Sequence, residues 1–438
     1  MNFEILMEKP SLGFFSVVSI GIGGMVGGGI FAVLGLAAQL SHGSTPIAFT
    51  IAGIIALVTA YSYSKLSVRF PSQGGTVEFL NQGIGTGIIT GGFNILLWMS
   101  YVVMLALYSY AFGSYGTTFF PESSQEQWKH ILISLVVISF TIVNIINTKL
   151  VGKSEEYIVI FKLVILFAFV AIGFWSIDFD HLTPDTWSPP ITLLAGGMII
   201  FLAYEGFELI ANTAKDVKNP KKILPRAFYT AVILVIILYV LVSMVTVGNL
   251  SIEQISQSQD YALAESAKPF LGHTGFIIIA IAAMLSTGSA INATLYGATR
   301  VSYSIAQSGE LPKQIEKKIW KKPIEGLIIT TVITLIVANL LDLSSIATMG
   351  SSGFLIIFAA VNWSNFRLYQ ETSSKRIISL AGLIGCIIAL GVLIWYTITN
   401  SSNDIWILII MIAFSFVAEI IYKKITGRSL RKFFSKQD

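Results

Sequence analysis

The sequence predicts an all-α integral membrane protein of about twelve transmembrane helices, arranged as a five-plus-five inverted repeat. Helices 1 and 6 are expected to be discontinuous, and two extra helices follow at the C-terminus. Three observations predict this. Of 438 residues, 54% are hydrophobic and 12% charged, about half the charged share of a soluble domain. Apolar runs of about 20 residues, enough to cross a bilayer, recur from end to end. Two of those runs, five spans apart, carry residues that an unbroken membrane helix tolerates poorly.

In order, the spans are expected at 13–40, 45–64, 86–119, 130–147, 156–177, 191–213, 224–248, 273–305, 326–341, 344–366, 377–398 and 404–422. The first five (13–177) form one repeat and the next five (191–366) the second. Spans eleven and twelve (377–422) and a basic tail (423–438) complete a single transmembrane domain over residues 1–438. The first run, from Leu12, is Gly-rich and lacks a small-residue cleavage site, so it reads as a mature span and not a signal peptide. Connections are short, and the longest, about 249–272, has room for a short helix.

Charge orients the bundle. With both termini cytoplasmic, 25 of the 28 lysines and arginines fall in termini, inner loops or inner span ends, as the positive-inside rule requires. Lys129 and Lys268 lie outside, and Lys162 is within a span. The basic blocks "KDVKNPKK", "KKIWKKP" and "YKKITGRSLRKFF" are topology signals that meet anionic headgroups, so membrane lipids are expected partners and nucleic acid is not. Cys386 is the only cysteine. His42, His130, His181 and His273 lie between or at the ends of apolar runs, none at ligand spacing. No metal and no cofactor is expected.

Span one contains "GIGGMVGGGIF" (Gly21–Phe31), with six glycines in eleven residues. Each glycine costs about 1 kcal/mol in a helix relative to Ala, so Gly27–Gly29 suggest an unwound segment. Close helix packing is the competing reading. Span six contains "IIFLAYEGFELIANTAKD" (Ile199–Asp216), where Gly206 is flanked by Glu205 and Glu208. Carboxyls at that depth are candidates for function, although a hydrogen-bonded structural pair would also fit. Two interrupted spans five apart are the pattern of an inverted repeat with broken first helices. Free N–H groups at one half-helix end attract an anion, and free carbonyls at the other attract a cation. A small zwitterion such as an amino acid matches both: its carboxylate near Gly27–Gly29, its ammonium near Tyr204–Gly206.

In span five, "EEYIVIFKLVILFAFVAIGFW" (Glu155–Trp175) is apolar from Tyr157 on except for Lys162. A charge at membrane depth is costly unless paired, hydrated or neutralised. Lys162 lies six residues beyond Glu156, about 9 Å along a helix, so its stem could instead snorkel to the surface.

These motifs resemble those of the amino acid–polyamine–organocation (APC) superfamily of transporters, whose LeuT-like fold has the same repeat. "GGGIF" (Gly27–Phe31) resembles the family's glycine-rich substrate motif. "FPSQGGTVEFL" (Phe70–Leu80), "NPKKILPRA" (Asn219–Ala227) and "SGELP" (Ser308–Pro312) resemble the loops after spans two, six and eight. "LLWMSY" (Leu96–Tyr101), "FKLVIL" (Phe161–Leu166) and "NATLYG" (Asn292–Gly297) resemble an archaeal proton-coupled member. The resemblance implies a multi-pass transporter of the cell membrane, not an enzyme, carrying an amino acid together with a proton; a monomer is expected, although nothing in the sequence fixes the oligomeric state.

Sodium-driven relatives hold an ion between spans one and eight, and several sodium-independent members place a fifth-span lysine amine there. Lys162 matches that position. The implied amine partners are carbonyls near Ile22 and Gly23 and the hydroxyls of Ser286, Thr287 and Ser289. The implied substrate-binding residues are Ile22, Gly23, Val26, Gly27, Gly28 and Gly29 of span one, with Phe201, Ala203, Tyr204, Glu205 and Gly206 of span six. Tyr101 of span three joins them, although aromatics in a span often simply pack. Burial disfavours an amine's charged form, so Lys162 could take up a proton outside and release it inside as the bundle rocks. Glu208 is a second proton-coupling candidate. Glu205 and Glu208 both depart from the archaeal member's pattern: an ionised Glu205 would favour cationic substrates, and a protonated one could hydrogen-bond a neutral one.

Rival readings stay open within the fold: an amino acid, amine or polyamine exchanger without a proton, or an amino acid sensor that moves nothing. An intramembrane enzyme fits poorly, since the span interiors lack histidine and the chain lacks a His/Cys metal set and a GxSxG motif. Broken helices build a binding site, which suits a channel poorly.

Overall fold

A computed structural model describes residues 12–146, 149–307, 324–400 and 402–426. The motif "SGELP", the block "KKIWKKP" and the tail from residue 427 lie outside the described residues. Those described form α1 (Phe14–Ser41), α2 (Thr45–Arg69), α3 (Thr76–Gly83), α4 (Ile88–Thr117), α5 (Gln125–Ile146) and α6 (Lys149–Gly173). Next come α7 (Pro190–Ile199), α8 (Leu209–Asn212), α9 (Pro220–Asn249), α10 (Ile252–Gln257) and α11 (Ala262–Glu265). The last described helices are α12 (Lys268–Gln307), α13 (Ile324–Leu340), α14 (Leu343–Arg367), α15 (Arg376–Asn400) and α16 (Ser402–Thr426).

Among the described residues, eleven helical stretches are long and apolar enough to cross a membrane, α7 and α8 together supplying one. The apolar α13 has 17 residues, about 26 Å at 1.5 Å per residue, the short end of a span. Counting α13, the described residues contain twelve apolar helical stretches, the number expected. Some helices continue past their apolar run, so α6 starts at Lys149, before the expected 156.

Local chemistry sets the ends. Proline opens α2, α7 and α9, where its missing N–H costs nothing. Ser251 and Gln254 form a capping box on α10, and the Asp342 side chain accepts from the Ser345 amide at the start of α14. The connection from α9 to α12 thus contains the short helix that its length allowed.

Burial sorts the spans. The apolar windows of α1, α4 and α14 are 83% buried and that of Pro190–Asn212 is 89% buried, against 33% or less in α5, α6, α15 and α16. The first group is the centre of the bundle. The second exposes Ile138, Phe167, Ile388 and Phe414, an apolar exterior suited to lipid. Polar side chains clasp spans together. Asn144 Nδ2 donates to Asn292 Oδ1 at 2.8 Å, and Trp98 Nε1 to Thr330 at 3.0 Å. Asn362 Nδ2 donates to Thr59 at 3.0 Å, beside the fully buried Cys386.

The two interrupted spans differ. Span six behaves as expected: α7 tightens into a 3-10 turn at Ile200–Tyr204, Glu205 is extended (φ −62°, ψ 147°), and Gly206 takes φ +117° before α8. In span one the discontinuity is confined to a kink at Val26 (φ −79°, ψ 19°). The wider unwinding expected at Gly27–Gly29 is absent, and those glycines stay helical. They admit neighbours instead. A Cβ on Gly28 would stand 2.2 Å from the Tyr108 ring, and one on Gly29 2.6 Å from the Ala203 Cα.

Candidate functional site

The break in span six lies against the kink in span one. Gly206 has no Cβ, which permits both its positive φ and its seat on α1, where a Cβ would stand 2.5 Å from the Met25 nitrogen. Its amide, freed by the break, donates to Glu208 Oε2 at 2.7 Å. Tyr101 donates to Glu208 Oε1 at 3.2 Å and Tyr108 to Glu205 Oε2 at 3.4 Å. The Tyr108 hydroxyl also lies 3.5 Å from the Gly24 carbonyl oxygen. Glu205 and Glu208 are both buried.

The carbonyls of α1 around the kink are each met by another span. Lys162 of α6 is 1% exposed, and its Nζ donates to the Gly23 oxygen at 3.1 Å. The amine therefore points into the bundle and does not snorkel. Ser286 of α12 donates to the oxygens of Val26 (2.7 Å) and Gly27 (2.5 Å). Tyr239 of α9 donates to Met25 (2.6 Å) and Ala203 (3.2 Å), linking both interrupted spans.

The remaining expected residues divide. Ile22 is buried beside Gly23, and Ser289 is buried on α12. Two amine partners need correction: Ser286 bonds the kink carbonyls, and Thr287 bonds Ala283 and Met284 of its own helix. They face other directions because a helix turns each successive side chain by about 100°. Tyr204 donates to the Phe49 oxygen at 2.8 Å and so leans on α2. Phe201 packs edge-on against Phe358. Tyr63, Phe79, Phe207, Phe228 and Phe358 pack together as an aromatic cluster.

Sequence reasoning missed Tyr108 and Tyr239. Tyr108 stands seven residues, about two turns, after Tyr101, which placed it on the same face. Tyr239 had no local signal. Away from the interrupted spans, Lys129 pairs with Asp260 at 3.1 Å and bonds the Tyr110 hydroxyl at 2.6 Å, while Ser114 donates to Asp260 at 3.2 Å. That cluster ties the α10–α11 connection to α4 and α5.

Residues 12–416 match the amino acid permease family. The chain belongs to that family. This permease is 36% identical over 425 residues to an uncharacterized protein of Methanocaldococcus jannaschii, covering 97% of this chain and 98% of that one. It is 35% identical over 412 residues to the inner membrane transport protein YbaT of Escherichia coli (93% and 95% covered). It is 23% identical over 429 residues to the methylthioribose transporter of Bacillus subtilis (91% of each). The permease is accordingly an all-α, multi-pass membrane transporter of the APC superfamily.

Proposed function

We propose that this permease is a secondary active carrier of amino acids that works by proton symport, with the protonated Lys162 amine in place of a sodium ion. The observation that carries the reading is the buried Lys162 Nζ on the Gly23 carbonyl. A charged amine holds α6 against α1 beside the kink, and a neutral one lets go. The amino acid would sit where α1 and span six meet, its carboxylate towards the glycines of α1 and its ammonium towards the carbonyls of Ala203–Gly206, with Tyr101 and Phe201 alongside. The bundle would follow the five-plus-five inverted repeat, in the cell membrane, with both termini cytoplasmic.

Uptake into proteoliposomes tests this. A pH gradient, acid outside, should drive accumulation without sodium in the unaltered protein, and Lys162→Ala should abolish accumulation while sparing substrate binding. Undiminished accumulation in Lys162→Ala overturns the assignment. Uptake that requires internal substrate and ignores the gradient would identify an exchanger.

A further inference from the structure

The connection from α14 to α15 gathers cations that the transport reading does not use. Arg367, Lys375 and Arg376 are exposed there, and Lys65 and Arg69 reach it from the end of α2. The only acid in residues 361–376 is Glu371, 3.8 Å from Arg69. Among the described residues, Lys65, Arg367, Lys375 and Arg376 have no carboxylate partner. Hydrogen bonds hold the connection in one shape. Lys65 Nζ donates to the Ser373 oxygen at 3.0 Å, and the Lys375 amide donates to the Tyr61 hydroxyl. Thr372 donates to the buried Asn365 Oδ1 at 2.9 Å.

The Arg376 guanidinium lies 4.2 Å from the centre of the Phe366 ring and 5.0 Å from that of Tyr369. Contact with the rings uses the faces of the guanidinium and leaves its N–H edge, which matches a phosphate. Trp363 stacks on Phe366 and is 41% exposed, and such aromatics settle at the headgroup level of a bilayer. Directly after Arg376 the surface turns apolar. Ile377 is 74% exposed, and the exposed Ile384 and Ile388 follow seven and eleven residues on, along one face of α15. The cations therefore stand where the apolar exterior of a span ends.

We propose that this corner of α2, α14 and α15 binds one anionic phospholipid of the membrane that the chain spans. Arg376, Lys65 and Lys375 hold its phosphate, and its acyl chains lie along Ile377, Ile384 and Ile388. Charge selects the lipid: a zwitterionic headgroup brings an ammonium that these cations repel. The basic blocks elsewhere in the chain attract headgroups by charge alone; here a stacked guanidinium above an apolar stripe defines one place. A bound phosphate fastens the inner end of α2 to the start of α15. The proposal stands whatever the permease carries.

Native mass spectrometry of the purified full chain, released from micelles holding equal phosphatidylglycerol and phosphatidylcholine, counts retained lipids. The unaltered protein should keep one phosphatidylglycerol under activation that strips phosphatidylcholine. Arg376→Gln should weaken retention about tenfold, and Arg376→Lys, which keeps the charge without the fork, should also weaken it. Lys423→Gln, which changes a cation at the end of α16, should leave it unchanged. A parent protein that keeps both lipids alike or neither, or an Arg376→Gln variant that retains as the parent does, overturns the proposal. If Arg376→Gln does not fold, Lys65→Gln serves: it must weaken the adduct, and unchanged retention overturns the site. Excess inorganic phosphate should leave the adduct in place, and displacement by phosphate alone overturns the assignment to a lipid.

Discussion

Gly24 and Gly206 meet backbone to backbone: a Cβ on Gly24 would stand 2.7 Å from the Gly206 Cα, and one on Gly206 2.4 Å from the Gly24 carbonyl carbon. Nothing at that contact is a flexible side chain that could yield. Overpacking of this kind costs about 1–3 kcal/mol, and at φ +117° any side chain adds backbone strain. Gly206→Ala is therefore expected to lower the apparent Tm of the purified protein more than Gly24→Ala does. Unchanged melting in both variants would mean that the two spans do not touch there.

The Tyr108 hydroxyl lies between Glu205 and the Gly24 carbonyl. Tyr108→Phe keeps the ring against Gly28 and removes only the oxygen. A typical hydrogen bond contributes about 0.5–1.5 kcal/mol net, so transport efficiency should fall by roughly two- to tenfold. Initial uptake rates over a range of substrate concentrations measure this, and a variant indistinguishable from the parent refutes a role for the hydroxyl.

Ser286 and Thr287 are neighbours with opposite expectations. Ser286→Ala strips a donor from two buried carbonyls of α1, and an unsatisfied buried acceptor costs about 1–3 kcal/mol. Thr287→Val keeps the shape and removes a bond made only within α12, at under about 1 kcal/mol. Thermal melts of the two variants should separate clearly. The reverse order would show that the α1 kink does not depend on Ser286.

The Lys129–Asp260 pair is mostly shielded, with side chains 16% and 27% exposed. Lys129→Met and Asp260→Asn should show a coupling energy of about 1 kcal/mol in a double-mutant cycle, read from melting of the single and double variants. Additive effects would mean that the pair does not hold the α10–α11 connection.

The spans were legible because hydropathy and length decide them, and the break in span six because Glu205, Gly206 and Glu208 oppose a continuous apolar helix. The kink in span one was legible only in part. Helix propensity placed the interruption at Gly27–Gly29, yet the packing of Tyr108 and Ala203 against those glycines keeps them helical and leaves the departure at Val26. Lys162 stood out as a lone charge, but its choice of Gly23 over a route to the surface depends on the rotation of α6 about its axis. That rotation is set by neighbouring spans. The same holds for Ser286 against Thr287, and for Tyr239, which looks like any aromatic in an apolar run until α1 and span six are placed beside it.

Cys386, sealed between α2, α14 and α15, makes the molecule a ready background for labelling. A thiol-reactive dye or spin label would pass over it while the fold holds. A cysteine introduced on either face, for instance on the α10–α11 connection or on α3, would then carry the only signal. Distances between two such labels under opposite pH gradients would show whether the bundle rocks, without first deleting the natural thiol.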